Sequence, residues 1–221
     1  MNYLLLINPV LILACALVAL VCLRHKPFDW WYLFIPFLLV TTLVEWVGYY
    51  QGMIPDYSNH WWYNLYMPVD VTFVFFILQR ACAPYYYITR WLVPVWMVFL
   101  VMYGVESYQS GFEGYSTYAS TFASIATIPF ALCYFYFLMK EETYVDLLKH
   151  PPFLMVSGLL VYYFGAIVLA MFMQQLTEIY LSTGLPVRNI ISLVLNFILY
   201  SSWSYAFICR YQQRSSLSLS S

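Results

Sequence analysis

The sequence predicts an all-α integral membrane protein, a bundle of seven transmembrane helices with its N-terminus outside and its C-terminus inside. Three observations support this. Of 221 residues, 63% are hydrophobic and 9% charged, with a mean hydropathy of +0.72; a soluble domain carries about 25% charged residues. Seven apolar segments each approach the ~20 residues that a helix needs to cross a bilayer. Finally, all but one of the 9 Lys and Arg residues fall in clusters separated by two apolar segments, never one: Arg24/Lys26, Arg80/Arg90, Lys140/Lys149 and Arg210/Arg214. Basic residues favour the cytoplasmic side, so each cluster marks an inner end. The intervening turns, around 51–63, 107–116 and 175–186, contain no Lys or Arg, and Arg188 is the exception.

The expected spans are 3–23, 31–50, 63–83, 91–109, 117–139, 152–174 and 188–209, forming one transmembrane domain over 1–212, with a disordered Ser-rich tail over 213–221. The first span has no basic residue before it, and Arg24, His25 and Lys26 follow it. This is the reverse of a signal peptide, so the segment reads as a retained anchor. The second and third spans carry the acids Glu45 and Asp70 and the prolines Pro36 and Pro68. The fourth contains Pro94 and the fifth Pro129. Prolines inside a span kink it, and neighbouring helices can satisfy the freed carbonyls. Pro27, Pro84, Pro151, Pro152 and Pro186 fall in turns or at helix starts.

The fifth span carries two rows of small residues, Ser116/Ser120/Ser124 and Ala119/Ala123/Thr127. The sixth carries Ser157, Gly158 and Gly165. Small side chains let helices approach closely in lipid, so the fifth span is expected to be the most tightly packed. Trp30/Trp31, Trp61/Trp62, Tyr85–Tyr87 and Trp91 read as interfacial belts. The five Cys form no C-x-x-C pair and none lies in an expected outer loop, so neither a disulfide nor a redox role is expected.

Several functions are excluded. A net charge of −1 argues against a nucleic-acid partner. The seventh span has no Lys for a retinal Schiff base. The three His are scattered, with His25 and His150 at inner ends and His60 at an outer one, so no metal or haem site, and no cofactor, is expected. No Walker or G-x-S-x-G motif is present.

Two buried acids remain. Glu45 and Asp70 each lie a few residues inside the outer boundary, roughly 7–10 Å at 1.5 Å per residue, and are expected in one layer. A carboxylate at that depth costs about 2.5–3.5 kcal/mol on insertion scales and faces the bundle interior, a partner or water. Arg188, the only outer cation, opens the seventh span at similar depth. Thr41, Glu45, Gly48 and Tyr49 share one helix face; Tyr63, Tyr66, Asp70 and Phe73 share another. The seventh span adds Ser192 and Asn196, and Asn59, His60 and Asn64 lie just above. Two readings stay open: a closed structural network, or an outward-facing pocket for a small molecule or lipid formed by Glu45, Asp70, Arg188, Tyr49, Tyr66, Asn64, His60 and Asn196. Glu106 and Glu178 read as solvated rim charges.

Glu45-Trp-Val-Gly-Tyr-Tyr, Asn59-His-Trp-Trp-Tyr-Asn-Leu-Tyr-Met-Pro68, Pro152-Phe-Leu-Met-Val-Ser-Gly-Leu-Leu-Val-Tyr-Tyr-Phe-Gly165 and Asn196-Phe-Ile-Leu-Tyr200 together resemble a group of seven-helix membrane proteins of Bacteroidota. These proteins look like detached sensor domains and are often encoded beside histidine kinases. The resemblance covers nearly the whole chain. It implies a non-enzymatic, sensor-like subunit of the bacterial inner membrane, with Glu45 and Asp70 as the shared polar site and a separate cytoplasmic signalling partner. Met67-Pro68-Val69-Asp70 with Phe75-Phe76 is similar, more distantly, to the small membrane-bound lycopene cyclases. That similarity implies an enzyme using a buried acid to protonate an isoprenoid, although Val69 stands where those enzymes pair a second acid.

Overall fold

Helices α1 (Asn2–Leu23), α2 (Phe34–Gln51), α3 (His60–Cys82), α4 (Thr89–Ser110), α5 (Thr117–Met139), α6 (Pro151–Met171), α7 (Met173–Thr183) and α8 (Val187–Leu219) follow one another along the chain, with 3-10 turns at Trp30–Leu33 and Leu147–Lys149. The structure, a computed structural model, describes residues 2–24, 29–54, 59–111, 114–141 and 146–219. His25, Lys26 and Pro27, parts of the expected turns at 51–63 and 107–116, and Ser220 and Ser221 lie outside the described residues. No strand occurs among the described residues. All helices except α7 are long and apolar enough to cross a membrane, which makes this a multi-pass membrane protein.

Three elements depart from the sequence reading. The expected turn 175–186 is largely helix α7. Its Met173, Leu176, Ile179 and Tyr180 recur at three-and-four spacing among Gln, Thr and Glu, and none of its residues is buried. Such an amphipathic stretch is too short to span but can lie along an interface. Second, α8 continues to Leu219 through the segment that composition marked as a disordered tail. At 1.5 Å per residue its 33 residues extend about 50 Å, well beyond the ~30 Å hydrocarbon core. Third, Pro36 falls in the first turn of α2 rather than mid-span, directly after the 3-10 turn that Asp29 caps through Trp30 N–H (2.7 Å). There the proline ring sits where the 3-10 turn runs into α2, with the Phe34 N–H donating to the Trp31 and Tyr32 carbonyls.

Helix α8 packs against both α1 and α6, α1 also against α2, and α5 against α3, α4 and α6. The α6–α8 approach depends on small residues. A Cβ on Gly165 would stand 2.6 Å from Leu195 Cδ1, and one on Gly158 would stand 3.0 Å from Ser202 Cβ. On α5 the Ala119/Ala123/Thr127 row is buried, as expected. Yet α5 is not the most enclosed helix, since 33% of its span is buried against 50% for the Trp30–Gln51 span. What encloses α2 is an aromatic cluster. Phe37 stacks on Phe73 at 3.8 Å, and Phe34 meets Phe73, Phe207 and Trp203 edge-on at 5.0–5.4 Å. Trp31 joins this cluster at 3% exposure, so it is a core residue rather than a belt residue. At the same end, Arg210 and Arg214, one turn apart on α8, both donate to Asp29 Oδ2, at 2.6 and 3.2 Å. This fastens the end of α8 to the α1–α2 connection.

Candidate functional site

At the opposite end from Asp29, a cavity of 560 Å³ opens between α1, α2, α3 and α8. Its position follows from the sequence. Glu45 lies six residues before the end of α2, and Arg188 lies at the start of the antiparallel α8. Glu45, Tyr49, His60, Arg188 and Asn196 all line the cavity, together with Asn8, Tyr63, Tyr115, Ser192 and Met173 of α7.

Glu45 is fixed from two sides. Asn8 Nδ2 donates to Glu45 Oε2 at 2.9 Å, and the Tyr63 hydroxyl donates to the same carboxylate. Asn8 is itself held by Asn196, whose Nδ2 donates to Asn8 Oδ1 at 2.8 Å. The chain Asn196–Asn8–Glu45–Tyr63 therefore links α8, α1, α2 and α3 across the cavity. A hydrogen bond to a charged group contributes about 1.5–3 kcal/mol, enough to hold the acid in place. The close approach of α2 to α3 requires Gly48, since a Cβ there would stand 2.7 Å from Tyr63 Cζ. Asn8 was missed by the sequence reading, although it is the one amide inside an otherwise apolar first span.

Arg188 is exposed at the mouth, and no ion pair joins it to Glu45 or Asp70 among the described residues. Among the described residues the acids are thus not closed on Arg188; Glu45 is held instead by Asn8 and Tyr63 at the cavity wall.

Three candidate residues do not line this cavity. Asn64 is fully buried and braces the α4–α5 connection: its Nδ2 donates to Gly114 O at 2.7 Å and its Oδ1 accepts from Ser116 N–H at 3.0 Å. Pro68 cannot donate to the Asn64 carbonyl four residues earlier, and the Tyr103 hydroxyl donates to it instead at 3.0 Å. Tyr66 shares a hydrogen bond with Thr41 of α2, which bonds back to Phe37 O. Asp70 is not in one layer with Glu45. Helix α3 begins at His60, so Asp70 lies ten residues, about 15 Å, from its start; Glu45 lies about 9 Å from the end of α2. Asp70 instead faces a phenol-rich interior, within Coulombic range of Tyr66, Tyr162, Tyr163, Tyr200 and Glu45.

Glu106, expected as a rim charge, caps α5. Its carboxylate accepts from Tyr118 N–H (3.1 Å) and Ala119 N–H (2.9 Å), two first-turn donors that Ser116 leaves uncapped. No group of three or more potential metal ligands occurs among the described residues. Comparison with known protein families, curated proteins and solved structures finds no match for this chain.

Proposed function

We propose that the chain is a non-enzymatic, receptor-like membrane subunit that binds a small polar molecule in the Glu45 cavity. The observation behind this reading is a carboxylate held by two donors at the wall of an open cavity, with a guanidinium at the mouth that is in no ion pair among the described residues. A ligand with an amine or other donor at one end and an acidic or acceptor group at the other matches that arrangement. The lining is rich in amides and phenols, with one acid, one imidazole, one guanidinium and the hydroxyls of Thr117 and Ser192, a set suited to holding a polar molecule by hydrogen bonds. Occupancy would pull on Glu45 and Asn196 and so on α1, α2, α3 and α8 together. Helix α8 then carries the displacement to the Asp29 end, the cytoplasmic end under the positive-inside rule. There a separate protein, such as the kinase implied by the Bacteroidota resemblance, would read it.

The test is thermal unfolding of the detergent-solubilised full chain against a panel of free amino acids, small amines and small carboxylates. At least one compound with both charges should raise the midpoint for wild type and not for Glu45→Gln. If none shifts the midpoint, or wild type and Glu45→Gln respond alike, the reading fails. The isoprenoid-protonating alternative has less support. An apolar groove of 630 Å³ opens beside Pro36, Phe37, Pro68, Val69 and Phe73, but Asp70 does not line it.

A further inference from the structure

The Asp29 end of the bundle carries a second, smaller cavity of 230 Å³, unrelated to the Glu45 site. It lies where the end of α3, the start of α6, the Trp30–Leu33 turn and α8 meet. Its lining contains the guanidiniums of Arg80 and Arg210, the imidazole of His150, the phenol of Tyr85, the amide of Gln213 and the indoles of Trp30 and Trp31. No carboxylate is among the described lining residues.

Cations gather at this end: among the described residues Arg80, Arg210 and Arg214 stand near the carboxylates of Asp29 and Glu141, with the Lys149–Asp146 pair alongside. Asp29 is shared by Arg210 and Arg214, and Glu141 sits beside Tyr85 and His150. Arg80 is in no ion pair among the described residues; its guanidinium lies over the Phe76 ring at 5.2 Å. Arg210 Nε is buried without a hydrogen-bond partner among the described residues. A buried donor left without an acceptor is destabilising, and an acceptor in the cavity would satisfy it. The start of α6 adds the positive end of a helix dipole, about half a charge. Because Pro151 and Pro152 occupy its first positions, it offers field there rather than N–H donors.

The depth narrows the ligand. The half-buried Trp30 indole and Tyr85 phenol line the same cavity, and such rings mark the headgroup level of a bilayer. The space, 230 Å³, equals that of roughly seven or eight waters at ~30 Å³ each, sufficient for a phosphate and its ester oxygens. Basic pockets between transmembrane helices on the cytoplasmic side recognise phosphate-bearing headgroups.

We infer that this cavity binds a phosphate ester anion at the membrane surface, with Arg80 and Arg210 as the principal contacts. An anionic phospholipid headgroup and a soluble phosphate share that chemistry, and the experiment separates them. The full chain in detergent is mixed with phosphatidylglycerol, phosphatidylcholine, glycerol 3-phosphate or inorganic phosphate. Retained lipid is counted by native mass spectrometry and the unfolding midpoint is followed in parallel.

Phosphatidylglycerol should be retained and protective where phosphatidylcholine is not, and Arg80→Gln should reduce its retention roughly five-fold, the equivalent of about 1 kcal/mol per basic residue at an anionic surface. Arg90→Gln, which removes a cation stacked on Trp91 at 5.0 Å and outside the cavity, should leave retention unchanged. Protection by inorganic phosphate or glycerol 3-phosphate equal to that by lipid would support the anion site and assign it a soluble occupant. Equal retention of both lipids with no phosphate effect, or equal losses in Arg80→Gln and Arg90→Gln, would overturn the inference. Arg80 is exposed and in no ion pair among the described residues, so its substitution should leave the fold intact, which the unfolding midpoint checks.

Discussion

Gly48→Ala places one methyl group where helices α2 and α3 touch, and its effect can be worked out from the geometry. The new Cβ would stand 2.7 Å from Tyr63 Cζ, against an ordinary carbon–carbon separation of ~3.5–4.0 Å, so the ring must withdraw by about 1 Å. Two penalties follow: overpacking, about 1–3 kcal/mol, and loss of the Tyr63–Glu45 hydrogen bond, about 1.5–3 kcal/mol. Replacing a helical glycine returns about 1 kcal/mol. The net cost is about 1.5–5 kcal/mol, and for a chain of this size each kcal/mol moves the unfolding midpoint by ~2–4 °C, so a drop of about 3–20 °C is expected. The assay is a double-mutant cycle on detergent-solubilised protein. With Tyr63→Ala already in place the methyl group has nothing to strike, and Gly48→Ala should become neutral or slightly stabilising. Equal cost in both backgrounds would refute the proposed contact. Tyr63→Phe isolates the hydroxyl and should by itself cost about 1.5–3 kcal/mol.

Asn64→Ala leaves Gly114 O and Ser116 N–H without their partners and should lower stability by about 2–4 kcal/mol, read as a fall in the unfolding midpoint. Asp29→Asn withdraws the shared acceptor from Arg210 and Arg214 and should cost about 1.5–3 kcal/mol, with increased proteolytic cleavage of the α8 end as a second readout. Burial holds the His150 imidazole below its ordinary value of 6.5, opposed by Glu141, in a setting that also includes Tyr134, Arg80 and Arg210. Above pH 6.5 the ring is neutral in folded and unfolded chains alike. As the pH falls below 6.5 the unfolded chain takes up the proton first, so stability declines until the depressed folded-state value is reached. His150→Asn should flatten that part of a midpoint-against-pH curve; an unchanged slope would remove His150 as its source. Glu106→Gln should weaken the α5 cap by about 0.3–1 kcal/mol, read by the same unfolding assay.

The alternating basic clusters and apolar lengths specified seven spans because both are strong, local signals. Glu45, Tyr49, His60, Arg188 and Asn196 were traceable to one cavity because short connections leave antiparallel neighbours little freedom. What was not legible depends on partners far apart in the chain. The Glu106 carboxylate looks like a rim charge until α5 is seen to begin beneath it. Asp70 was placed one layer too shallow because Tyr63 was read as the membrane edge, whereas α3 starts at His60. Trp31 has the composition of a belt residue, but the 3-10 turn directs it into the aromatic cluster. Asn8 was overlooked because a single amide barely dents the hydropathy of its segment. Helix α7 was read as a turn because its Gln, Thr and Glu residues mask a helical repeat.

The hydroxyl that Tyr103 lends to the carbonyl stranded by Pro68 ties two distant positions into one evolutionary unit. A relative with an ordinary amino acid at position 68 would complete that turn of α3 by itself, and its residue 103 would be free to drift. A relative that keeps the proline must keep a donor of similar reach on α4. Substitutions at the two positions should therefore arise in company rather than independently.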